Sequence, residues 1–195
     1  MTGESLKYDI ILAGVGGQGV LSLSGIIAAA ALREGLAVKQ SEVHGMSQRG
    51  GAVVANLRMD AKAVASDLVP VGCASMILSL EPLESLRYLR YLSPAGAIVT
   101  ATEPVRNIPD YPEIERVLQA IRTLPHAVLI DGERIARRAG SARAANMALI
   151  GAASMLLPLS RETIERCIAE RFLSKGPAVV ELNLKAFQAG REAAA

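Results

Sequence analysis

The sequence predicts an α/β fold, a single Rossmann-like domain with a largely parallel sheet flanked by helices. Three observations predict this fold class. Short apolar runs alternate with helical patterns along the chain, which is the element order of parallel sheets. The first run passes through glycines into a helical stretch and then a second run, the layout of a βαβ unit of about thirty residues. Finally, 195 residues with 51% hydrophobic content suit one domain, and we expect it to span residues 1–195.

The strands are predicted from apolar runs that end at glycine, proline or polar residues. The first two should run parallel, joined by a right-handed crossover. A short segment, Ala61–Ala65, is expected as an edge strand, and Pro94–Gly96 as a turn before the fifth main strand. The main strands are expected at Tyr8–Ala13, Leu36–Val43, Ala52–Met59, Ser75–Leu80, Ala97–Thr100 and Ala127–Ile130.

Helices are predicted from periodicity and from capping residues. Ile114, Val117, Leu118 and Ile121 repeat at helical spacing. Two of the helices, at Val20–Glu34 and Ala144–Leu157, are rich in Ala and apolar nearly all round, so they should pack on more than one side. Burial in the core and burial against a partner chain both explain them. The remaining helices begin near Pro82, Asp131, Ser160 and Pro177.

Composition excludes several classes of function. The net charge is only +2 and no basic run is interleaved with aromatics, so we expect neither a nucleic-acid nor a membrane partner. The two cysteines, Cys73 and Cys167, are too few for an iron–sulfur cluster or a Cys-rich zinc site on this chain, so no metal site is expected. Low cysteine content, a polar N-terminus and the lack of a spanning apolar stretch predict a cytoplasmic protein.

The first glycine-rich turn, Gly14-Val-Gly-Gly-Gln-Gly19, matches G-x-G-x-x-G between a strand and a helix. Glycines let the backbone approach a ligand, and the helix N-terminus attracts anions. In dinucleotide-binding proteins an acidic residue about twenty positions on holds the ribose, and Glu42 fits that spacing loosely. The turn could instead serve only helix–sheet packing. The candidate binding residues of this turn are Gly14, Gly16, Gly17, Gln18 and Gly19.

The second glycine-rich turn, His44-Gly-Met-Ser-Gln-Arg-Gly-Gly51, lies between two further strands. The strand before it should end at the same sheet edge as the first turn, so both loops should face one crevice. Arg49 suits a carboxylate or a phosphate, and His44 is a weak candidate for proton transfer. A local hydrogen-bonded knot is the alternative. The candidate binding residues here are Glu42, His44, Gln48, Arg49 and Gly50.

Together the two turns resemble the gamma domain of the 2-oxoacid:ferredoxin oxidoreductases, and within that family the small subunits of the indolepyruvate type. The resemblance covers nearly the whole chain. It continues through softer matches at Asp67, Leu80-Glu-Pro-Leu83, Tyr91-Leu-Ser-Pro94, Asn146, Gly151 and Glu181-Leu-Asn183.

The resemblance implies a subunit that holds no cofactor alone. A large alpha subunit would bind thiamine diphosphate and Mg²⁺, decarboxylate an aryl 2-oxoacid, and pass electrons through iron–sulfur clusters to ferredoxin. The product would be an acyl-CoA, with coenzyme A as co-substrate. The small subunit would pack on the catalytic chain and help form or close its active site. No confident catalytic residue is expected on this chain.

A stand-alone NAD(P)- or flavin-binding oxidoreductase of Rossmann type is the alternative, and a scaffold or ligand-sensing module is a third. The dinucleotide pattern does not call for an Arg-bearing glycine loop after Glu42, and no hydride-transfer acid–base pair is visible. The sequence therefore favours the subunit.

Overall fold

The computed structural model describes residues 6–44 and 50–195. Its sheet has six strands in the order β2-β3-β1-β4-β5-β6. The α/β class predicted from the alternating elements is confirmed. The strands are β1 (Lys7–Val15), β2 (Ala37–His44), β3 (Ala52–Asp60), β4 (Ala74–Ser79), β5 (Leu92–Ala101) and β6 (Ala127–Ile130).

The sheet is largely parallel, but one strand runs against the others. β4 pairs parallel with β1, and β5 and β6 continue in the same direction. β3 is antiparallel to both of its neighbours, so β1 and β2 share a direction without touching. The predicted parallel direction of the first two strands is therefore confirmed, although β3 lies between them. The chain between His44 and Ala52 is too short for the crossover that a parallel neighbour needs, so β2 and β3 form a hairpin.

Helices cover both faces of the sheet, with short 3₁₀ turns between some of them. Side chains of β1 alternate between the faces: Ile10 and Leu12 join the larger core, and Ile11 joins the smaller one. The larger core contains residues of α1, α5, α6 and α7, and the smaller contains residues of α3. The helices are α1 (Val20–Arg33), α2 (Pro82–Arg87), α3 (Ile114–Arg122), α4 (Gly132–Ala139), α5 (Ala145–Ala153), α6 (Arg161–Phe172) and α7 (Pro177–Ala194).

The Ala-rich helix α5 is buried within this chain. Every residue from Met147 to Ala153 is buried, and glycines let α5 and α7 approach closely. A Cβ on Gly190 would lie 1.9 Å from the carbonyl oxygen of Ala148, and one on Gly151 would lie 2.0 Å from that of Phe187. The apolar character of α5 thus follows from packing inside the chain and needs no partner.

Two local predictions are wrong. Ala61–Ala65 forms no strand, because Asp60 ends β3 and accepts a hydrogen bond from Lys62 N, which turns the chain. Pro94–Gly96 is not a turn but part of β5, where the register with β4 shifts between Ala74 and Met76. Across the described ranges, 6–44 and 50–195, no helix is both long enough and apolar enough to span a bilayer.

Candidate functional site

The two glycine turns meet at the carboxyl end of β1. The last residue of β1, Val15, is paired with Ala52, the first residue of β3, so each turn leaves the sheet at this point. Gly16 N donates to the Gly51 carbonyl at 2.8 Å, and Gly50 N donates to the Gly16 carbonyl at 3.4 Å. These reciprocal backbone hydrogen bonds join the turns directly, as the shared-edge argument predicts.

The first turn is held by its own glutamine. Gln18 Oε1 accepts from Val15 N at 2.7 Å, and its amide nitrogen donates to the Leu80 carbonyl at 2.9 Å. Both ends of this side chain are therefore engaged in bracing β1 against the segment after β4. A Cβ on Gly14 would lie 2.9 Å from Val20 Cγ2, so that glycine is required by packing.

Helix α1 begins at this turn with an open N-terminus. Gly19 is the N-cap residue, has φ +93°, and provides no side-chain cap. The first turn of α1 carries no acidic residue. Its free N–H groups and the helix dipole therefore favour an anion at this edge. Asn146 packs against Gly19 from α5, and its Oδ1 is buried without a hydrogen-bond partner.

A cavity of about 270 Å³ opens beside the first turn. Its walls include Gly17 and Gln18, the first turns of α4 and α5, and residues 103–105 after β5. Larger cavities of about 650 and 540 Å³ lie between α4 and α7 and at the amino ends of the strands. We place the candidate site at the smaller cavity because it adjoins the glycine turn at the carboxyl edge, where open α/β sheets bind ligands.

Glu103 lines the cavity and is hydrogen-bonded to Asp131, the residue that precedes the cavity-lining Gly132. Burial raises the pKa of Glu103, and a hydrogen bond with the Asp131 side chain raises it further. The same hydrogen bond lowers the pKa of Asp131, so the pair favours one proton, carried by Glu103. Glu103 Oε1 also accepts from Glu133 N at 2.7 Å, which caps α4 from outside the helix.

Residues 102–113, which we call the proline loop, close the edge on the side of β4 and β5. Its Asn107 Nδ2 donates to the Gly50 carbonyl at 2.9 Å, so the loop contacts the second glycine turn. Glu81, buried at 1% exposure, accepts hydrogen bonds from Val105 N and from the Tyr111 hydroxyl. The exposed Arg106 lies near the Tyr111 ring and adds a cation at this edge.

The remaining predicted site residues are less informative. Glu42 is exposed on β2 opposite Ala55, and β3 separates β2 from the first turn. His44 is the last residue of β2. Gln48 and Arg49 lie outside the described residues. The ligand-binding roles expected for Gly14, Gly16, Gly17, Gln18, Gly19, Glu42, His44, Gln48, Arg49 and Gly50 stay predictions.

Sequence reasoning did not assign Glu81, Glu103, Asn107 or Asn146 to this edge, although Glu81 and Asn146 lie in the softer matches to the family. Glu103 and Asn107 follow β5, and Glu81 follows β4, so the rule that places ligands at carboxyl ends of parallel strands was the available signal. Asn146 gives no such signal, because only the packing of α5 against Gly19 brings it to the site.

Within residues 6–44 and 50–195, no three His, Cys, Asp or Glu side chains lie close enough together to hold a metal ion. Cys73 is exposed before β4, and Cys167 is buried on α6.

Comparison with known proteins agrees with this fold. Residues 9–193 match the pyruvate ferredoxin/flavodoxin oxidoreductase family. The indolepyruvate oxidoreductase subunit IorB of Pyrococcus horikoshii is 37% identical over 198 residues, covering 96% of each chain. The gamma subunit of a keto/oxoacid ferredoxin oxidoreductase from Geobacter sulfurreducens is 29% identical with a TM-score of 0.68, covering 96% of this chain and 98% of its own.

A third relative shows the fold in a longer chain. The 2-oxoglutarate:ferredoxin oxidoreductase of Magnetococcus marinus, solved with 2-oxoglutarate, coenzyme A and succinyl-CoA bound, matches with a TM-score of 0.76 and 24% identity. The match covers 98% of the present chain but only 31% of that one.

The fold and the joined glycine turns define a gamma-type subunit of an oxidoreductase. The chain belongs to the pyruvate ferredoxin/flavodoxin oxidoreductase family. The resemblance predicted from the two turns is confirmed, and two of these relatives are named as subunits of oxidoreductases.

Proposed function

We propose that this chain is the small subunit of a thiamine-diphosphate-dependent indolepyruvate:ferredoxin oxidoreductase. The enzyme would oxidatively decarboxylate an aryl 2-oxoacid to an acyl-CoA and pass the electrons to ferredoxin. Thiamine diphosphate with Mg²⁺ would supply the decarboxylation chemistry on a large alpha subunit, which would also carry the iron–sulfur clusters. The 37% identity to an indolepyruvate oxidoreductase subunit over nearly the full length supports this substrate class.

The role we propose for this chain is to complete a site shared with the large subunit and to receive coenzyme A there. The observation that carries this proposal is the hydrogen-bonded meeting of the two glycine turns at the carboxyl edge. That edge combines a cavity with the uncapped N-terminus of α1, and the helix N-terminus favours a ligand that carries phosphate groups. Coenzyme A is such a ligand. The relative from Magnetococcus marinus was solved with it bound.

Reconstitution tests this proposal. The chain should form a complex with a thiamine-dependent large subunit, and that complex should reduce viologen when given indolepyruvate and coenzyme A together. Omitting either chain or coenzyme A should abolish the reduction. If no complex and no activity were found, only a scaffold or sensing role would remain.

A stand-alone dinucleotide-binding oxidoreductase is the second candidate, and the sheet order argues against it. In the dinucleotide fold the acidic residue that holds the ribose ends the strand beside β1. Here β3 occupies that position, and Glu42 lies one strand further away, roughly 5 Å more across the sheet. Titration of the isolated chain with NAD(P)H should show no micromolar binding, and binding with turnover would favour this candidate.

A further inference from the structure

Glu81 is a buried carboxylate that belongs to neither glycine turn. It follows β4 at the same sheet edge, and only 1% of it is exposed. Its Oε2 accepts from Glu84 N at 2.8 Å and caps α2. Its Oε1 accepts from Val105 N at 3.3 Å and from the Tyr111 hydroxyl. One side chain thus makes three hydrogen bonds, two of them to the proline loop.

These contacts form a continuous path to the first glycine turn. Glu81 holds the proline loop at Val105 and at Tyr111, on either side of Asn107. Asn107 donates to the Gly50 carbonyl, and Gly50 N donates to the Gly16 carbonyl. Residues 103–105 of the same loop also line the cavity. The position of Glu81 therefore affects the wall of the cavity and the contact between the loop and the second turn.

We propose that Glu81 is a positioning residue, which holds the proline loop against the second glycine turn and so sets the shape of the coenzyme A site. This inference rests on the proposed function of that site. Glu81 itself needs no contact with coenzyme A, since its carboxylate oxygens are used by the protein.

The chemistry of the side chain explains why a carboxylate is suited to this position. All three groups bound to Glu81 are donors, and a carboxylate offers acceptor sites on both oxygens. Glutamine has one acceptor oxygen and one donor nitrogen, so at least one of the three donors would face an N–H group. Burial, together with the hydrogen bond to Glu81, raises the pKa of Tyr111 and keeps its phenol a donor.

The test uses the reconstituted complex of both subunits and four variants. Tyr111→Phe removes one bond to Glu81 and leaves the α2 cap intact. Glu81→Gln disturbs the three hydrogen bonds that the Glu81 carboxylate accepts, and Asn107→Ala breaks only the contact with Gly50. Tyr91→Phe is the control, because the Tyr91 hydroxyl bonds to its surface neighbour Arg90. The measurements are amide hydrogen exchange of the proline loop, kcat, and KM for coenzyme A.

We expect exchange at Val105 to be about tenfold faster in Tyr111→Phe and in Glu81→Gln, the effect of losing one hydrogen bond to a charged group. The KM for coenzyme A should rise about tenfold in the same variants, with kcat within about twofold of wild type. Asn107→Ala should raise this KM without changing exchange at Val105. The control should change none of the three measurements. If Glu81 acted only on folding stability, its variants would not raise the KM for coenzyme A while leaving kcat nearly unchanged.

Two results would overturn the proposal separately from the proposed function. Unchanged exchange in Tyr111→Phe and Glu81→Gln would show that Glu81 does not hold the loop. Faster exchange with an unchanged KM would show that the loop does not shape the site. A wild-type complex without coenzyme A-dependent turnover would overturn the proposed function, and the catalytic relevance of Glu81 with it.

Discussion

Arg58 and Asp9 form a buried ion pair that fastens the chain between β3 and β4. Arg58 Nε lies 3.0 Å from Asp9 Oδ1, and its guanidinium also donates to the Ser66 and Leu68 carbonyls at 3.1 Å. Asp9 is 2% exposed. Without its partner, Asp9 would be a buried carboxylate for which the 3.8 Å contact with the mostly exposed Lys7 offers little compensation.

We therefore expect Arg58→Met to lower the free energy of unfolding by about 3–5 kcal/mol. The matched control is Arg166→Met, which breaks an exposed pair with Glu170 and should cost below about 1 kcal/mol. Urea unfolding of both variants measures the difference. Equal losses in the two variants would contradict the structural role of the buried pair.

The raised pKa of Glu103 should make the stability of the protein depend on pH. Its raised pKa means that the folded state favours the protonated acid, so its contribution to stability is lost as the pH rises through that pKa. Glu103→Gln keeps an acceptor for Glu133 N and a donor for Asp131, but it does not titrate. The melting temperature of this variant, relative to wild type, should therefore rise as the pH increases from below the ordinary pKa of a glutamate through the raised pKa of Glu103. A difference that falls over this range would contradict the shared proton.

At the level of the helices, two glycines differ in whether the structure has room for a side chain in their place. Gly190 lies where α7 crosses α5, and an added Cβ would lie 1.9 Å from the Ala148 carbonyl oxygen. Gly25 lies in α1 with nothing within 4 Å of an added Cβ. Gly190→Ala should destabilise the protein by about 3 kcal/mol through overpacking, whereas Gly25→Ala should stabilise it by about 0.5–1 kcal/mol. Thermal unfolding of the two variants compares them, and a tolerated alanine at position 190 would contradict the close crossing of α5 and α7.

Some helix boundaries could be predicted from the sequence, whereas the strand pairing could not. Local chemistry placed the helix starts at Asp131 and Ser160, whose side chains do cap α4 and α6. The pairing of β3 was not predicted, because alternation of apolar residues does not specify which strand lies beside which. The short connection before Ala52 was the overlooked signal. Asn146 and Asn107 could not be assigned to the site, since contacts distant in sequence bring them there.

At the scale of the whole molecule, the chain provides an edge whose parts come from four distant segments. The two glycine turns are joined by backbone hydrogen bonds, Asn107 of the proline loop contacts the second turn, and Asn146 of α5 packs on the first. We propose that this edge is the surface that meets the large subunit.

Arg49→Ala tests the second turn directly: we expect this variant to weaken coenzyme A affinity while the melting temperature stays unchanged.

The proposed function requires that coenzyme A binds against this chain when the complex assembles. Amide hydrogen exchange of the reconstituted complex, measured with and without coenzyme A, tests this binding. We predict that coenzyme A slows exchange in the first glycine turn, at Gly50 and Gly51, and in the proline loop, while α7 is unaffected. Slowed exchange confined to the large subunit, with no change at these three segments, would contradict the claim.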